Sequence, residues 1–324
     1  MNKKTDELLI PKYENTLFGY DKYFNFFIKL AKQNKLPNQI LLSGEAGIGK
    51  STFSYHLVNY FLSKNENFPY DLKNFSINKS NRSFNLVNQN SHPNFFLIDL
   101  LEKKRSIDIE QIRNMIKYTN KTTFNENIKF ILIDNTEYLN ISAINSLLKI
   151  VEEPIGNTFF IFIHNSYKKI VNTLKSRCIK FNIAFSNNEK KNILNNIIEN
   201  SCVDFSNLKN FYDVTNNYYL TPGSIINNFL SFSNNDKFKN IPNIEKLVID
   251  LFNYDFKTYY NNDFKTFVYL LEISLYNKFL ISRNKIKIYN LFNSILNKIS
   301  LSERYNLDIK NLLFELKENY NNAK

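Results

Sequence analysis

The chain has 324 residues, 43% hydrophobic and 22% charged, a composition that suits a folded protein of two or three domains and excludes a disordered one. Its 42 basic and 30 acidic residues leave a net charge of +12, which attracts phosphates; most of the basic residues, however, are lysines in a chain rich in Asn, Ile and Phe, so charge alone assigns no ligand. Two cysteines, Cys178 and Cys202, are too few for a metal cage or a disulfide framework and point to a reducing cytoplasm, and apolar runs such as 159–163 are strand-length, too short for a membrane span.

Residues 1–7 turn acidic before any apolar run, so no secretory signal is expected there. The first buried strand is expected at 39–43. Directly after it, Gly44-Glu45-Ala46-Gly47-Ile48-Gly49-Lys50-Ser51 matches the phosphate-loop pattern G-x-x-x-x-G-K-[ST]. Each residue type has a chemical reason. The glycines let backbone N–H groups turn around phosphate oxygens, and Lys50 brings a charge to the outer phosphates. Ser51 offers a hydroxyl to Mg²⁺, and the helix expected over 50–64 points its positive end at the ligand.

The Asn-rich stretch 71–90 is the least ordered-looking part of this region. Further strands are expected at 94–99, 129–134 and 158–163, with an edge strand at 178–183. Helices at 107–119, 142–153 and 167–175 alternate with them, which implies a parallel α/β sheet covered on both faces. Asp108 or Ser106 is the expected cap of the helix at 107–119, and Ser142 that of the helix at 142–153. The strand at 129–134 ends on Asp134, where an acidic residue would hold Mg²⁺ through water beside the phosphate loop. Past residue 183 the signals are helical, at 187–200 and 221–232. From about 240 they continue to the end, with apolar stripes such as Ile244, Leu247, Val248, Leu251 and Phe252. His56, His92 and His164 lack ligand spacing, and 65–93 holds no cysteine, so zinc is not expected.

A further succession narrows the reading. Asn145-Ser146-Leu147-Leu148-Lys149 leads to Glu152-Glu153-Pro154, then to the strand at 158–163, then to Ser176-Arg177-Cys178. With Leu17-Phe18-Gly19, Leu36-Pro37-Asn38-Gln39, Ser91-His92-Pro93-Asn94 and Pro222-Gly223, this order resembles the clamp-loader branch of the AAA+ ATPases over some two thirds of the chain. The resemblance implies a P-loop ATPase-fold domain at 1–183, a parallel five-stranded sheet between helices. It also implies a small helical lid at 184–238 and an all-α collar at 239–324. ATP with Mg²⁺ would bind through residues 44–51, Asp134 and the first-sensor position, which Asn165 matches best with His164 as its neighbour. Arg177 would act as an arginine finger on a neighbouring subunit's ATP. The implied partners are other clamp-loader subunits, motor subunits and delta in a five-subunit ring, with the sliding clamp and primed DNA reached through the complex.

The departures from the family pattern matter as much. Active members carry Asp-Glu at the strand end; here Asn135 follows Asp134 and cannot accept a proton. Glu137, two residues further on, is expected to point elsewhere. The second-sensor arginine is missing, since Pro222-Gly223 is followed by Ser224. Binding parts are kept and hydrolysis parts reduced, so the chain resembles an assisting subunit rather than the motor. A self-sufficient DNA-acting ATPase (motor-type loader or branch-migration ATPase) and a plain DNA-binding module with a relic loop remain the alternatives.

Overall fold

Runs dominated by Ile, Leu and Phe that are too short for helices build the sheet. In the computed structural model, which describes residues 10–101, 104–120, 128–200, 220–233, 244–256 and 262–321, helix α1 (Asp21–Lys32) precedes β1 (Gln39–Gly44). There follow α2 (Lys50–Leu62), α3 (Arg82–Asn88), β2 (Phe95–Ile98), α4 (Ile109–Thr119), β3 (Lys129–Ile133) and α5 (Ile141–Glu152). The order continues with β4 (Thr158–Asn165), the one-turn α6 (Asn172–Lys175), β5 (Ile179–Asn182) and α7 (Asn187–Asn200). The strands form one parallel sheet in the order β2-β3-β4-β1-β5.

Because side chains alternate across a strand, β1 and β4 feed two cores. Ile40, Leu42, Ile161 and Ile163 pack with Phe24 and Phe27 of α1 and Phe53 and Leu57 of α2. Leu41, Phe160 and Phe162 pack on the other face with Met115 of α4, Leu147 of α5 and Leu174 of α6. The carboxyl ends of β1 to β4 therefore present Gly44, Asp99, Asp134 and Asn165 along one edge, where ligands of open α/β sheets bind.

Four local expectations are corrected. Asn140, not Ser142, caps α5: its side chain accepts from Ala143 N–H at 2.8 Å, so the helix starts a residue earlier and Ser142 lies inside it. The helix expected over 167–175 shrinks to Asn172–Lys175, because a turn after β4 (Lys168 N–H to Asn165 carbonyl, 2.9 Å) uses its first residues. The stretch 71–90 is built around α3. Asn81 caps it by accepting from Phe84 N–H, the Glu66 carboxylate accepts from the Arg82 and Ser83 N–H groups, and Tyr70, Ile77 and Val87 anchor it in the core. Asp134 lies one residue past the end of β3. Asp108, by contrast, closes a capping box with Gln111 at the start of α4, as one of the two residues expected to cap it.

The chain divides into two compact units, one of residues 1–201 with 221–223, the other of residues 202–220 with 224–324. Helix α8 (Pro222–Ser233) carries the chain from one to the other. The second unit continues through α9 (Ile244–Leu251), α10 (Asn262–Ile281), α11 (Lys285–Tyr305) and α12 (Ile309–Asn321), each packed on the next. Its core joins Leu247 and Leu251 to Phe267, Leu271, Ile295 and Leu316, as the 3.6-residue stripes predict. Parts of the stretch read as a lid, 201–219 and 234–238, and the start of the stretch read as a collar, 239–243, lie outside the described residues, as does Cys202. Among the described residues no helix is long and apolar enough to cross a membrane.

Candidate nucleotide site

The glycine loop joins β1 to α2, and its conformation follows from residue type. Gly49 precedes α2 at φ +100°, left-handed backbone that side chains rarely adopt, and a Cβ there would lie 3.3 Å from the Tyr20 ring. Tyr20 supports the loop from below, its hydroxyl donating to the Ile48 carbonyl at 3.1 Å and its ring stacked on Phe53. With Gly49 outside the helix, the first N–H groups of α2 have no intrahelical acceptor and face the loop.

Lys50 is only 6% exposed, and its ammonium donates to the Gly44 carbonyl at 3.0 Å and the Glu45 carbonyl at 2.6 Å. Burial lowers its pKa to about 8, opposed by the charges of Asp134, Glu137 and Glu45. The Ser51 hydroxyl donates to the Asp134 carboxylate. Burial, and then the neighbouring charge of Asp99, raise the Asp134 pKa to about 6 against hydrogen bonds from Ser51 and the Asn135 backbone. A hydroxyl and a carboxylate meeting beside a buried ammonium are hard oxygen donors of the kind Mg²⁺ takes, so these residues fit a magnesium-bound phosphate.

Asn135 sits at φ +54°, a conformation Asn tolerates better than most residues, and its amide donates to Asp99 at 2.8 Å. Its place beside Asp99 requires a donor, which a glutamate would not supply. Glu137 does not point elsewhere, as expected from sequence; its carboxylate accepts the Asn165 N–H at 3.2 Å and acts electrostatically on Lys50. The 3₁₀ turn at Thr136–Tyr138 makes this possible by carrying residue 137 back over the strand ends.

The two first-sensor candidates separate by face. His164 is 5% exposed, hydrogen-bonded to Ser43 Oγ at 3.0 Å through Nδ1, and donates from Nε2 to the Lys168 carbonyl at 2.9 Å. A carbonyl only accepts, so Nε2 carries a proton, and with both nitrogens engaged the ring is committed to structure. Asn165 pairs in register with Gly44 and stands beside the loop, its side-chain oxygen accepting from Tyr167 N–H at 3.2 Å.

Several contacts around the loop have no local sequence signal. Glu45 is ion-paired with Lys190 of α7 at 2.5 Å and accepts from the Tyr167 hydroxyl. Thr221 donates its hydroxyl to the Ala46 carbonyl at 2.7 Å, and Gly223 N–H donates to Gly47 at 2.9 Å. Where the second-sensor arginine is missing, the backbone of 221–223 thus seats directly on the loop. Asp99 was legible only as another strand-end acid.

Arg177 lies away from these residues in the fold order, after α6. Its guanidinium is partly exposed and held within its own domain by the Glu152 carboxylate and, at 2.8 Å, by the Thr173 carbonyl. Cys178 is half-buried, and burial raises its pKa to about 12, so it is an inert thiol.

The family model described as DNA polymerase III, delta subunit, matches residues 19–187. The DNA polymerase III subunit delta' of Buchnera aphidicola subsp. Baizongia pistaciae is 35% identical over 159 residues, 46% of this chain and 45% of that protein. The subunit delta' of Pseudomonas aeruginosa is 28% identical over 140 residues, 43% of this chain and 41% of that one. The chain spans about half the length of the curated relatives it matches. A solved gamma subunit-related protein of Thermotoga maritima aligns over 92% of this chain and 99% of that one, with a TM-score of 0.41 and 14% identity. With the family model covering residues 19–187, the chain belongs to the DNA polymerase III, delta subunit, family.

Proposed function

We propose that this chain is an assisting subunit of a replication clamp loader, working with motor subunits and delta in a five-subunit ring that opens the sliding clamp at primed DNA. In this reading residues 44–51 bind the phosphates of ATP, Ser51 and Asp134 hold its Mg²⁺, and Asn165 senses the terminal phosphate. Arg177 completes a neighbouring subunit's site, stabilising transition-state charge in trans. The three-part organisation, with a lid at 184–238 and a collar at 239–324, belongs to the same proposal, as does a cytoplasmic location. The observation that carries it is the meeting of Lys50, Ser51 and Asp134 at the carboxyl edge of the sheet, together with Asn135 where active members have a glutamate.

The test is reconstitution with partner subunits. Arg177→Ala should lower turnover at the one motor site it completes by about 10³-fold or more, and the DNA-stimulated ATPase of the complex by that site's share, while this chain still assembles; an undiminished rate would remove the finger role.

One observation favours a second reading. Glu137 brings a carboxylate to the site from a different position, so the chain would hydrolyse ATP itself. Turnover by the purified chain, lost in both Lys50→Ala and Glu137→Gln, would select it.

A further inference from the structure

A second phosphate-type environment lies on the opposite face of the sheet from α2. A cleft of about 470 Å³ opens between β1, the segment after β4, α6 and β5. Leu41 and Ser43 of β1 and His164 of β4 form part of its lining, with Lys168, Lys169, Lys175 and Lys180 around them. Four lysines line this space, and none of its lining residues is an aspartate or glutamate. Among the described residues, none of the four is ion-paired with a carboxylate. Lys168 is engaged with the Tyr138 hydroxyl and lies 4.0 Å from that ring's centre.

The polar part of the wall is already satisfied. Ser43 Oγ engages one ring nitrogen of His164 and the Lys168 carbonyl accepts from the other, so both are already occupied. Recognition therefore falls to the lysines. They come from three places in the chain: the segment after β4, the end of α6, and β5, where Lys180 pairs in register with Leu41. Four like charges held around one cleft repel each other until a multiply charged anion enters. A single carboxylate neutralises one of them, whereas linked phosphates place several negative charges within a few ångströms, and lysine binds phosphate as a point charge.

We propose that this cleft binds phosphate groups presented by another molecule, either the polyphosphate of a nucleotide or successive phosphates of a nucleic-acid strand. It is a site separate from the glycine loop and does not rest on the reading of that loop. Its position two residues before Arg177 puts it beside the segment proposed to face a partner.

The experiment uses the full chain carrying Lys50→Ala, so that the glycine loop contributes no phosphate binding, and two probes, inorganic tripolyphosphate by calorimetry and a fluorescent oligonucleotide by anisotropy. Lys175→Glu/Lys180→Glu is compared with the milder Lys175→Gln/Lys180→Gln and with Lys73→Glu/Lys79→Glu, a charge-matched control outside the cleft. For a polyphosphate ligand, the cleft variants lose about tenfold or more in tripolyphosphate affinity, Glu more than Gln, while the control does not. For a nucleic-acid ligand, the log–log salt slope of oligonucleotide binding falls by about 2 in the cleft variants alone. Cleft variants that match the control with both probes overturn the proposal.

Discussion

The Arg177 guanidinium is held by the Glu152 carboxylate, so the helix ending in Glu-Glu-Pro and the Ser-Arg-Cys segment are tied together inside one domain. The pair stands at the surface, with 33% of the arginine and 48% of the glutamate side chain exposed. Solvent screens such a pair, and its stabilising effect should be small, about 0–1 kcal/mol in a double-mutant cycle of Arg177→Ala with Glu152→Ala. A weak bond of this kind orients the arginine yet lets it exchange onto a stronger anion. Arg177→Lys separates the two roles. Lysine keeps the charge but loses the planar fork, so the unfolding free energy of the chain should change by less than about 1 kcal/mol while the reconstituted ATPase falls nearly as far as in Arg177→Ala. A large loss of stability with intact activity would make the residue purely structural.

The carboxylate and ammonium of the site titrate toward each other and set a pH window. Asp134 titrates at about 6 and Lys50 at about 8 in the free protein. The magnesium-nucleotide binding proposed above needs Asp134 ionised and Lys50 protonated. Affinity should therefore fall below about pH 6 and again above about pH 8, giving a bell when binding is followed by calorimetry across pH. The stability signs follow separately. The Asp134 pKa is raised on folding, so its contribution is fully present below about pH 4 and lost as pH rises through about 6. Asp134→Asn should thus stabilise the unliganded chain at pH 7 by about 1–3 kcal/mol while abolishing magnesium-dependent nucleotide binding. A destabilised Asn variant would mean that the carboxylate is not the strained group described here.

What the sequence revealed and what it hid divide along physical lines. The sheet was legible because residues such as 129–133 and 158–163 are Ile- and Phe-rich runs of strand length. The glycine loop was legible because its chemistry is local, and Asp134 because it follows a buried strand. Glu137 was misread because the positive φ of Asn135 and the 3₁₀ turn after it redirect the chain, which two-residue spacing alone does not reveal. The contacts of Lys190 with Glu45 and Thr221 with Ala46 span 145 and 175 residues, and no local pattern encodes such pairings. The stretch 71–90 looked the least ordered of its region for a related reason. Its asparagines serve as caps and buried hydrogen-bond partners, such as Asn81, whose side-chain oxygen accepts from Phe84 N–H and from the Asn59 amide, rather than as solvated chain.

The seat of residues 221–223 on the glycine loop depends on a missing side chain. A Cβ on Gly223 would meet the Gly47 carbonyl oxygen at 2.7 Å, and backbone does not yield as a flexible side chain does. Gly223→Ala should push this segment off the loop, break the hydrogen bond from Gly223 N–H to Gly47, and cost about 1–3 kcal/mol in denaturant unfolding. Nucleotide affinity should fall with it, because the loop loses a brace. Unchanged stability in Gly223→Ala would show that the segment leaves the loop without penalty.

Restoring the glutamate of active family members should fail here. Asn135 donates its amide to Asp99 and holds a left-handed backbone, and Asp134 beside it already has a pKa of about 6 through burial and the charge of Asp99. Glutamate at 135 would remove the donor, tolerate the positive φ less well, and add a further negative charge to the edge that already carries Asp99, Asp134 and Glu137. Asn135→Glu is therefore expected to destabilise the fold by about 1–3 kcal/mol at pH 7, to raise the Asp134 pKa further, and to weaken magnesium-nucleotide binding. The destabilisation should shrink as pH falls through 6 and the carboxylates protonate, which thermal melts at pH 5 and pH 7 would measure. Asn135→Asp with Asp99→Asn, which exchanges the acceptor and the donor across the same contact, should recover most of the lost stability. If Asn135→Glu alone instead gave a stable, ATP-hydrolysing chain, the site would lack only one carboxylate and its divergence would lie nowhere else.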